Sequence, residues 1–398
     1  MSAKEMKKDE LDEQRYMDVA AKMDLIHSGP VVGGIYWKPN GAALYENLRD
    51  YIKKVHIEYG YSQVKSPSMV NAQLFEKSGH SQKYKENMFF LEDGLALRPM
   101  SCPNHIVIYD SNLNSFNDLP LKLFEFGEVF RNEASGALQV LFRQRQFCQD
   151  DAHIFAKDSD LEELLLNYLN MSEKVYKELG FESVEYMISL RPDQRFGSDD
   201  VWDKAENALK NACLRKGVQF GLEEKGGAFY GPKIELKVKD KLGRYWQMGV
   251  IQLDYVMPER FDLFYVDGNN EKQRPIILHH AVLGSLERMI AVLLEVMGAD
   301  LPEFLHPVKA IVLPVSEKSA GYAKILQEKI RKQNGYSVFE CPVDYSSNSL
   351  QKKILNASQR YIPNIYVVGE KEAEEYLKSG SVSAMLRKGG KNNKVMVN

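Results

Sequence analysis

The chain has little cysteine and no pairing pattern for what it has. Cys102, Cys148, Cys213 and Cys341 include no CxxC. That argues against a disulfide framework and suits reduced thiols in a cytoplasmic protein. No apolar run approaches membrane-spanning length. The charged start MSAKEMKKDELDEQRYMDV has no apolar signal-peptide core. Neither sign of charge is in excess, since 52 Lys and Arg face 55 Asp and Glu for a net charge of −3. A nucleic-acid partner would therefore have to be met by local clusters. There is no long internal repeat. GxxxxGK[ST] and a GxGxxG after a strand are both missing, which removes the two commonest nucleotide cradles. What remains is an ordinary globular composition, 44% hydrophobic and 27% charged, in 398 residues. That length is enough for two or three domains.

The stretch RNEASGALQVLFRQRQFCQDDAHIF, residues 131–155, organises the rest. At period two, Arg143, Arg145, Phe147, Gln149, Asp151 and His153 fall on one strand face. A hydrophobic core would want apolar residues at those places. Upstream, LKLFEFGEVFRNE puts Arg131 and Glu133 on one face of a second strand, and ASGALQVL opens the link with small turn-formers. Two antiparallel strands presenting Arg, Glu, Phe, Gln, Asp and His to one cleft are expected. A solvated amphipathic hairpin is the plainer alternative.

Around that hairpin, residues 1 to about 30 read as a polar helix and a Gly/Pro break, either a free tail or a helix docked on the body. A long amphipathic helix follows, with Leu44, Leu48, Ile52, Val55 and Tyr59 on one stripe. Then come a short strand ending in Pro67, a hairpin, and a helix with Pro103 near its start. Helices at 159–180 and in WDKAENALKNACLRKG alternate irregularly with strands at GGAFYGPKIELKVKD and RYWQMGVIQLDYVM. RPIILHHAVLGSLERMIAVLLEVMG is a strand, a glycine and an apolar helix. This order predicts an α+β fold, an antiparallel sheet flanked by helices. The turn at about 304–307 is a boundary. Beyond it VKAIVLPV, SAGYAKILQEKIRKQNG, YSVFECPV, SLQKKILNASQRYI and NIYVVGEKE read as βαβαβ, a small parallel α/β domain. Its Lys352, Lys353 and Arg360 form either a solvated helix face or an RNA site.

Any nucleotide must be held by side chains, and Arg131, Arg143 and Arg288 suit that, because a guanidinium grips phosphate bidentately. Phe147 can stack a base. A buried structural salt bridge is the alternative for Arg288. Metal candidates are Cys102, His153 and His279 or His280, with ordinary core residues as the alternative.

These segments together carry a resemblance. FGEVFRNEASGAL with RQFCQDDAHIF resembles the second signature motif of the class II aminoacyl-tRNA synthetases, in its threonyl form. RPMSCPNH resembles that type's zinc-cysteine segment. GGAFYGPKIE, WQMGVIQLDY and LHHAVLGSLER are similar to its other active-site strands and third motif, and YGYSQVKSPSM to its first, dimer-building motif. The resemblance implies an N-terminal extension at 1–34, a catalytic domain at 35–304 and an anticodon-binding domain at 305–398. It implies a ligase that activates L-threonine with ATP and transfers it to tRNA(Thr), working as a cytoplasmic homodimer off the membrane.

The same resemblance makes Cys102, His153 and His279 the ligands of one Zn²⁺ per subunit. Alternation favours His279 over His280, since adjacent strand residues face opposite ways. Arg131 would bridge the threonine carboxylate and the α-phosphate, Glu133 would contact the adenine amino group, and Phe147 and Arg288 would sandwich the ring. Arg143 would hold the far phosphates with Mg²⁺, and Gln247 would bind the nucleotide. Met100, Gln149, Asp151, Tyr230 and Gln252 would line the threonine pocket. Lys233 would assist at the phosphate, and His80 would lie by the terminal ribose of tRNA as a proton acceptor. The long helix at 42–59, whose stripe looks longer than one small domain needs, and the strand ending at Pro67 are expected to form the homodimer interface.

Two other readings stand beside the ligase. One is a threonine-activating enzyme that serves a carrier or small molecule, and the other is a silent RNA-binding regulator. The catalytic core begins soon after the N-terminus, without the hydrolytic module usual in the family. The C-terminal domain also stops before the family's closing helix. The expectation is therefore that mischarged Ser-tRNA is formed and not cleared.

Overall fold

The computed structural model describes residues 16–112, 114–240 and 242–397. The first part of the expected N-terminal helix, residues 1–15, lies outside them. The described chain divides into two compact units, one of residues 28–35 and 49–296, the other of residues up to 27, 36–48 and from 297 onward.

The larger unit is built on an eight-stranded sheet. Its strands are β1 (Ser62–Gln63), β2 (Leu121–Phe130), β3 (Gln146–Ala156), β4 (Glu185–Ser189), β5 (Phe220–Glu223), β6 (Lys233–Lys239), β7 (Tyr245–Asp254) and β8 (Ile276–Ala281). Their order across the sheet is β5-β4-β6-β7-β8-β3-β2-β1. The outer pairs β5·β4 and β1·β2 are parallel. Every pair between them is antiparallel. β8, IILHHA, is buried at every position, as its apolar start and central place require.

Helices α1 (Pro39–Glu58), α2 (Cys102–Asp110), α3 (Leu161–Glu178), α4 (Asp199–Lys216) and α5 (Leu286–Met297) accompany the sheet. α3 buries Leu161, Leu164, Leu165, Tyr168, Leu169 and Val175, a stripe at helical spacing. Its Tyr168 and Tyr176 hydroxyls donate to the carbonyls of Ala281 and Val282 at 3.2 and 2.8 Å, tying it to the end of β8. α2 starts with Pro103 in its first turn and stacks Tyr109 on Phe155 of β3 at 4.4 Å.

Several expectations change here. The period-two face of β3 begins at Gln146, so Arg143 and Arg145 belong to the link, where the backbone N–H groups of Gln139 and Arg145 bond out of register. β2 ends at Phe130, and Arg131 and Glu133 lie beyond it. GGAFYG is a turn, with only Lys233–Lys239 extended. The apolar stripe of α1 is not spare surface, because Leu44, Leu48, Ile52 and Val55 are all buried within the chain itself. The helix at 16–22 is docked rather than a free tail, with Tyr16, Ala20 and Met23 buried.

The smaller unit contains β9 (Ala310–Pro314), α6 (Ala320–Asn334), α7 (Leu350–Gln359), β10 (Asn364–Val368), α8 (Glu370–Ser379), β11 (Ser383–Lys388) and β12 (Lys391–Met396). The sheet order is β9-β10-β11-β12, parallel at β9·β10 and antiparallel thereafter. It is α/β as expected, but mixed rather than all parallel. The strand expected at 336–343 reduces to one bridge, Val312 with Val343. Pro342 has no N–H to give a ladder, and Ser337 and Glu340 bond to each other's backbone to form a turn instead.

Candidate active site

Register builds the site. Lys233 of β6 lies opposite Gln252 of β7, Gln252 opposite His279 of β8, and His279 opposite His153 of β3. Directly opposed residues share a face, so four polar residues form a row across the middle of the sheet. Asp151 and Gln149 continue the same face of β3, opposite Glu125 and Gly127 of β2. Gly127 is required there, since a Cβ would meet the Ser101 hydroxyl at 2.4 Å. The turn after β8 is pinned by Asp150, which accepts from the backbone N–H of Val282 and Leu283 at 2.9 and 3.1 Å. Gly284 in that turn has φ +79°, and a Cβ would stand 2.6 Å from the carbonyl of Met248.

At one end of the row the donor atoms of Cys102, His153 and His279 lie within 4.8 Å of one another, all buried. Asp254 accepts from His279 Nε2 at 2.8 Å. That leaves His279 Nδ1 buried with no partner. His153 Nδ1 sits 2.8 Å from His105 Nδ1. Burial, with help from the other histidines, holds His153 well below the ordinary imidazole range and so neutral. Burial also pushes the Cys102 thiol up, and the Asp254 and Asp151 carboxylates add to it. A divalent cation reverses that preference, because a coordinating thiol is deprotonated outright. The neutral His153 imidazole, a thiol and the orphaned His279 nitrogen fit a soft metal such as zinc. His280 points to the other face, where its Nε2 meets the Tyr61 hydroxyl at 2.7 Å.

Further along β3 from that row is a cleft of about 400 Å³ lined by Arg131, Glu133, Arg143, Phe147, Gln149, Gln247 and Arg288, with Phe142 and Ser285. The structure therefore brings together all six residues expected at the nucleotide. Arg143 Nη2 pairs with Glu133 Oε2 at 2.9 Å. The Arg131 guanidinium lies 5.0 Å over the Phe147 ring. Arg288 donates to the carbonyls of Phe142 and Gln247 at 3.1–3.3 Å. Burial pulls both Arg131 and Arg288 below the ordinary guanidinium range, and Arg131 and Arg143 repel Arg288 further. Three crowded, partly desolvated cations make a ready anion site.

Between the two ends stand the other expected residues. Ser101 N donates to Asp151 Oδ2 at 3.2 Å, and burial pushes the Asp151 carboxyl up. The Tyr230 ring is 5.4 Å from His279. Gln252 Nε2 donates to the Gly231 carbonyl at 2.9 Å. Met100 is half-buried just before α2. Lys233 is paired with Glu235 at 2.5 Å. His80 is fully buried among Phe75, Tyr84, Phe229 and Tyr230, with Nδ1 2.6 Å from the Ser78 hydroxyl and Nε2 without a partner. Burial, His279 and nearby arginines lower it to about 3.

Sequence reasoning passed over His105, Glu125, Arg98 and Asp254. His105 had a signal, since it stands three residues after Cys102 and so on the same helical face. The others are single charges within apolar runs, and only the folded contacts reveal them.

Comparison with known proteins agrees with this geometry. Residues 85–297 match the tRNA synthetase class II core domain (G, H, P, S and T), and residues 309–398 match an anticodon binding domain. The chain is 42% identical over 369 residues to a threonine–tRNA ligase of Campylobacter curvus, covering 92% of this chain and 60% of that protein. It is 40% identical over 370 residues to the one of Thiobacillus denitrificans, covering 92% and 58%. It thus spans about three-fifths of the length of these curated relatives. A solved structure, the RNA binding domain of threonyl-tRNA synthetase from Cryptosporidium parvum Iowa II, superposes with a TM-score of 0.90 at 36% identity, covering 96% of this chain and 95% of that one. With the core domain matched over more than half its length, this chain belongs to the class II aminoacyl-tRNA synthetases.

Proposed function

We propose that this chain activates L-threonine with ATP and transfers it to the 3′ end of tRNA(Thr). The observation that carries the reading is the buried Cys102–His153–His279 set beside an arginine-lined cleft that shares β3 with it. The ligase names of the curated relatives support it. Residues 35–304 would be the catalytic domain and 305–398 the anticodon-binding domain, with 1–34 an extension.

The threonine carboxylate is already a nucleophile, so attack on the α-phosphate needs no base, and catalysis is alignment and charge stabilisation. Arg131, beside both Phe147 and the threonine pocket, holds carboxylate and α-phosphate together. Glu133 accepts from the adenine amino group, with Gln247 at the same nucleotide. Phe147 and Arg288 flank the ring. Arg143 leaves Glu133 for the distal phosphates, whose charge is shared with Mg²⁺. Lys233 turns from Glu235 toward the phosphate. Asp151 accepts from the threonine ammonium, while Met100, Gln149, Tyr230 and Gln252 close the pocket around it. Cys102, His153 and His279 would hold one zinc per subunit, which would supply ligation for an amine and a hydroxyl. A pocket so built rejects valine, which lacks the hydroxyl, by about 10⁴-fold. His80 offers its unpartnered Nε2 to the acceptor ribose; with its conjugate acid near 3, it accepts a hydrogen bond far more readily than a full proton.

The homodimer reading now rests on other surface. Met69 and Phe90 on the small three-stranded sheet are exposed, as is the neighbouring Leu91. Such apolar side chains suit a partner subunit. Four buried cysteines with no CxxC among them suit the cytoplasm. The test is ATP–pyrophosphate exchange with each amino acid, followed by charging of total tRNA. Threonine-dependent exchange and a charged tRNA(Thr) are expected, and exchange without charging would transfer the reading to a carrier-serving enzyme. No threonine-dependent exchange would overturn it.

A further inference from the structure

Resting on the zinc reading above, we propose that His105 is a positioning residue for the metal corner, fixing the tautomer and aim of His153 through its contact with Glu125. The two rings meet nitrogen to nitrogen, His153 Nδ1 and His105 Nδ1 being 2.8 Å apart and the planes at 81°. Two such nitrogens share one proton, so one must donate and the other accept.

The far side of His105 decides which. Its Nε2 lies 3.2 Å from Glu125 Oε1. That carboxylate is held by Arg98 Nη1 at 2.8 Å, by the Ser66 hydroxyl at 2.7 Å and by Ser66 N at 3.0 Å. Gripped by a guanidinium, that carboxylate is an acceptor, and at this ion-pair distance, short of an aligned hydrogen bond, it draws the proton of His105 to Nε2. His105 Nδ1 then carries a lone pair, and His153 must donate from its own Nδ1. The nitrogen left to ligate on His153 is Nε2.

His279 is set the opposite way. Asp254 takes the proton on Nε2, and the orphaned nitrogen is Nδ1. Asp254 is itself fixed by the backbone N–H of Val256 and Met257 at 2.7 and 2.9 Å. Both metal-facing histidines are thus oriented by a buried carboxylate, one directly and one through an imidazole. Arg98, Glu125, His105 and His153 are each at most 2% exposed, so solvent does not reset the chain of contacts. Cys102 and His105 are one turn apart on α2. The thiolate and the relay therefore move as one body.

The test is zinc affinity by chelator competition, with KM values for threonine and ATP measured alongside. His105→Leu should weaken zinc binding by about 10–100-fold and raise the KM for threonine while leaving that for ATP unchanged. His105→Asn, which keeps an acceptor near the same place, should restore most of the affinity. If His105→Leu does not fold, the wild-type chain decides: ¹⁵N-histidine spectra of the zinc-loaded protein should show His105 protonated at Nε2 and His153 at Nδ1. A His153 bound through Nδ1, or a folded leucine variant with wild-type zinc affinity, overturns the inference and leaves the zinc reading intact. A wild-type chain that takes up no zinc overturns the zinc reading, and the inference falls with it.

Discussion

The two ends of the site share β3 and β7 yet are built in opposite ways. At the metal corner each donor is fixed by a partner: His279 by Asp254, His153 by His105, and Cys102 by its place at the start of α2. At the arginine cleft the groups are held provisionally. Arg288 rests on two carbonyls, Arg143 on a half-exposed pair with Glu133, and Arg131 on the face of Phe147. On the proposed function, the difference follows from what each end must do. Choosing between amino acids needs donors that are already aimed, because the site must refuse an isostere before chemistry begins. Gripping a triphosphate needs charge that can be redeployed as the phosphorus changes coordination.

Removing a fixed donor is expected to have the largest effect. Cys102→Ala should empty the metal corner and take threonine-dependent pyrophosphate exchange to background while the circular dichroism spectrum is kept. Zinc content and exchange, measured on one preparation, check this. Full activity in a metal-free variant would show that the fixed end does not select.

Next in size is the cleft's central charge. Arg131→Ala should lower kcat for exchange by about 10²–10³-fold, with a smaller change in threonine affinity, since the metal corner is untouched. An effect confined to KM would mean that Arg131 binds the ground state and transition state alike.

Most of the arginine cleft was legible in the sequence because charged and aromatic residues stand where a core would not have them. Arg131, Glu133, Arg143 and Phe147 stand out in any pattern. Their placement on strands was legible only in part, because the ladder stops at Phe130 and starts again at Gln146. The metal end was legible as residue types but not as a cluster, for 126 residues separate His153 from His279 and only register brings them opposite. Its supports were hidden. Glu125 and Asp254 each stand among apolar neighbours and look like ordinary strand residues until their partners are seen. In the C-terminal unit, apolar periodicity over 336–343 mimicked a strand, while α8 and the β11–β12 hairpin went unread.

Arg143 sharpens the contrast at moderate cost. Arg143→Ala should raise the KM for ATP by about 10-fold or more, as losing a hydrogen bond to a charged group does, and leave the KM for threonine unchanged. A threonine defect of equal size would mean that the two ends are not separable.

The smallest expected effect concerns Glu125 and pH. Burial alone would raise its carboxyl, but hydrogen bonds from His105 and Ser66 and the Arg98 charge bring it down to about 2. A carboxyl depressed in the folded state stabilises above its unfolded value, near 4.5, and that stability is lost as pH falls toward 2. The full amount is of order 3 kcal/mol. Urea unfolding between pH 5 and 2.5 should show a steeper loss for the wild type than for Glu125→Gln. Parallel curves would mean that the network does not titrate with folding.

On the proposed function, a fixed metal corner chooses threonine for an arginine cleft that activates it. The most direct test is amino-acid-dependent ATP–pyrophosphate exchange by the zinc-loaded chain, comparing threonine with valine. The claim predicts robust exchange with threonine and a kcat/KM for valine lower by about 10⁴-fold. Comparable exchange with the two amino acids, or none with threonine, would contradict it.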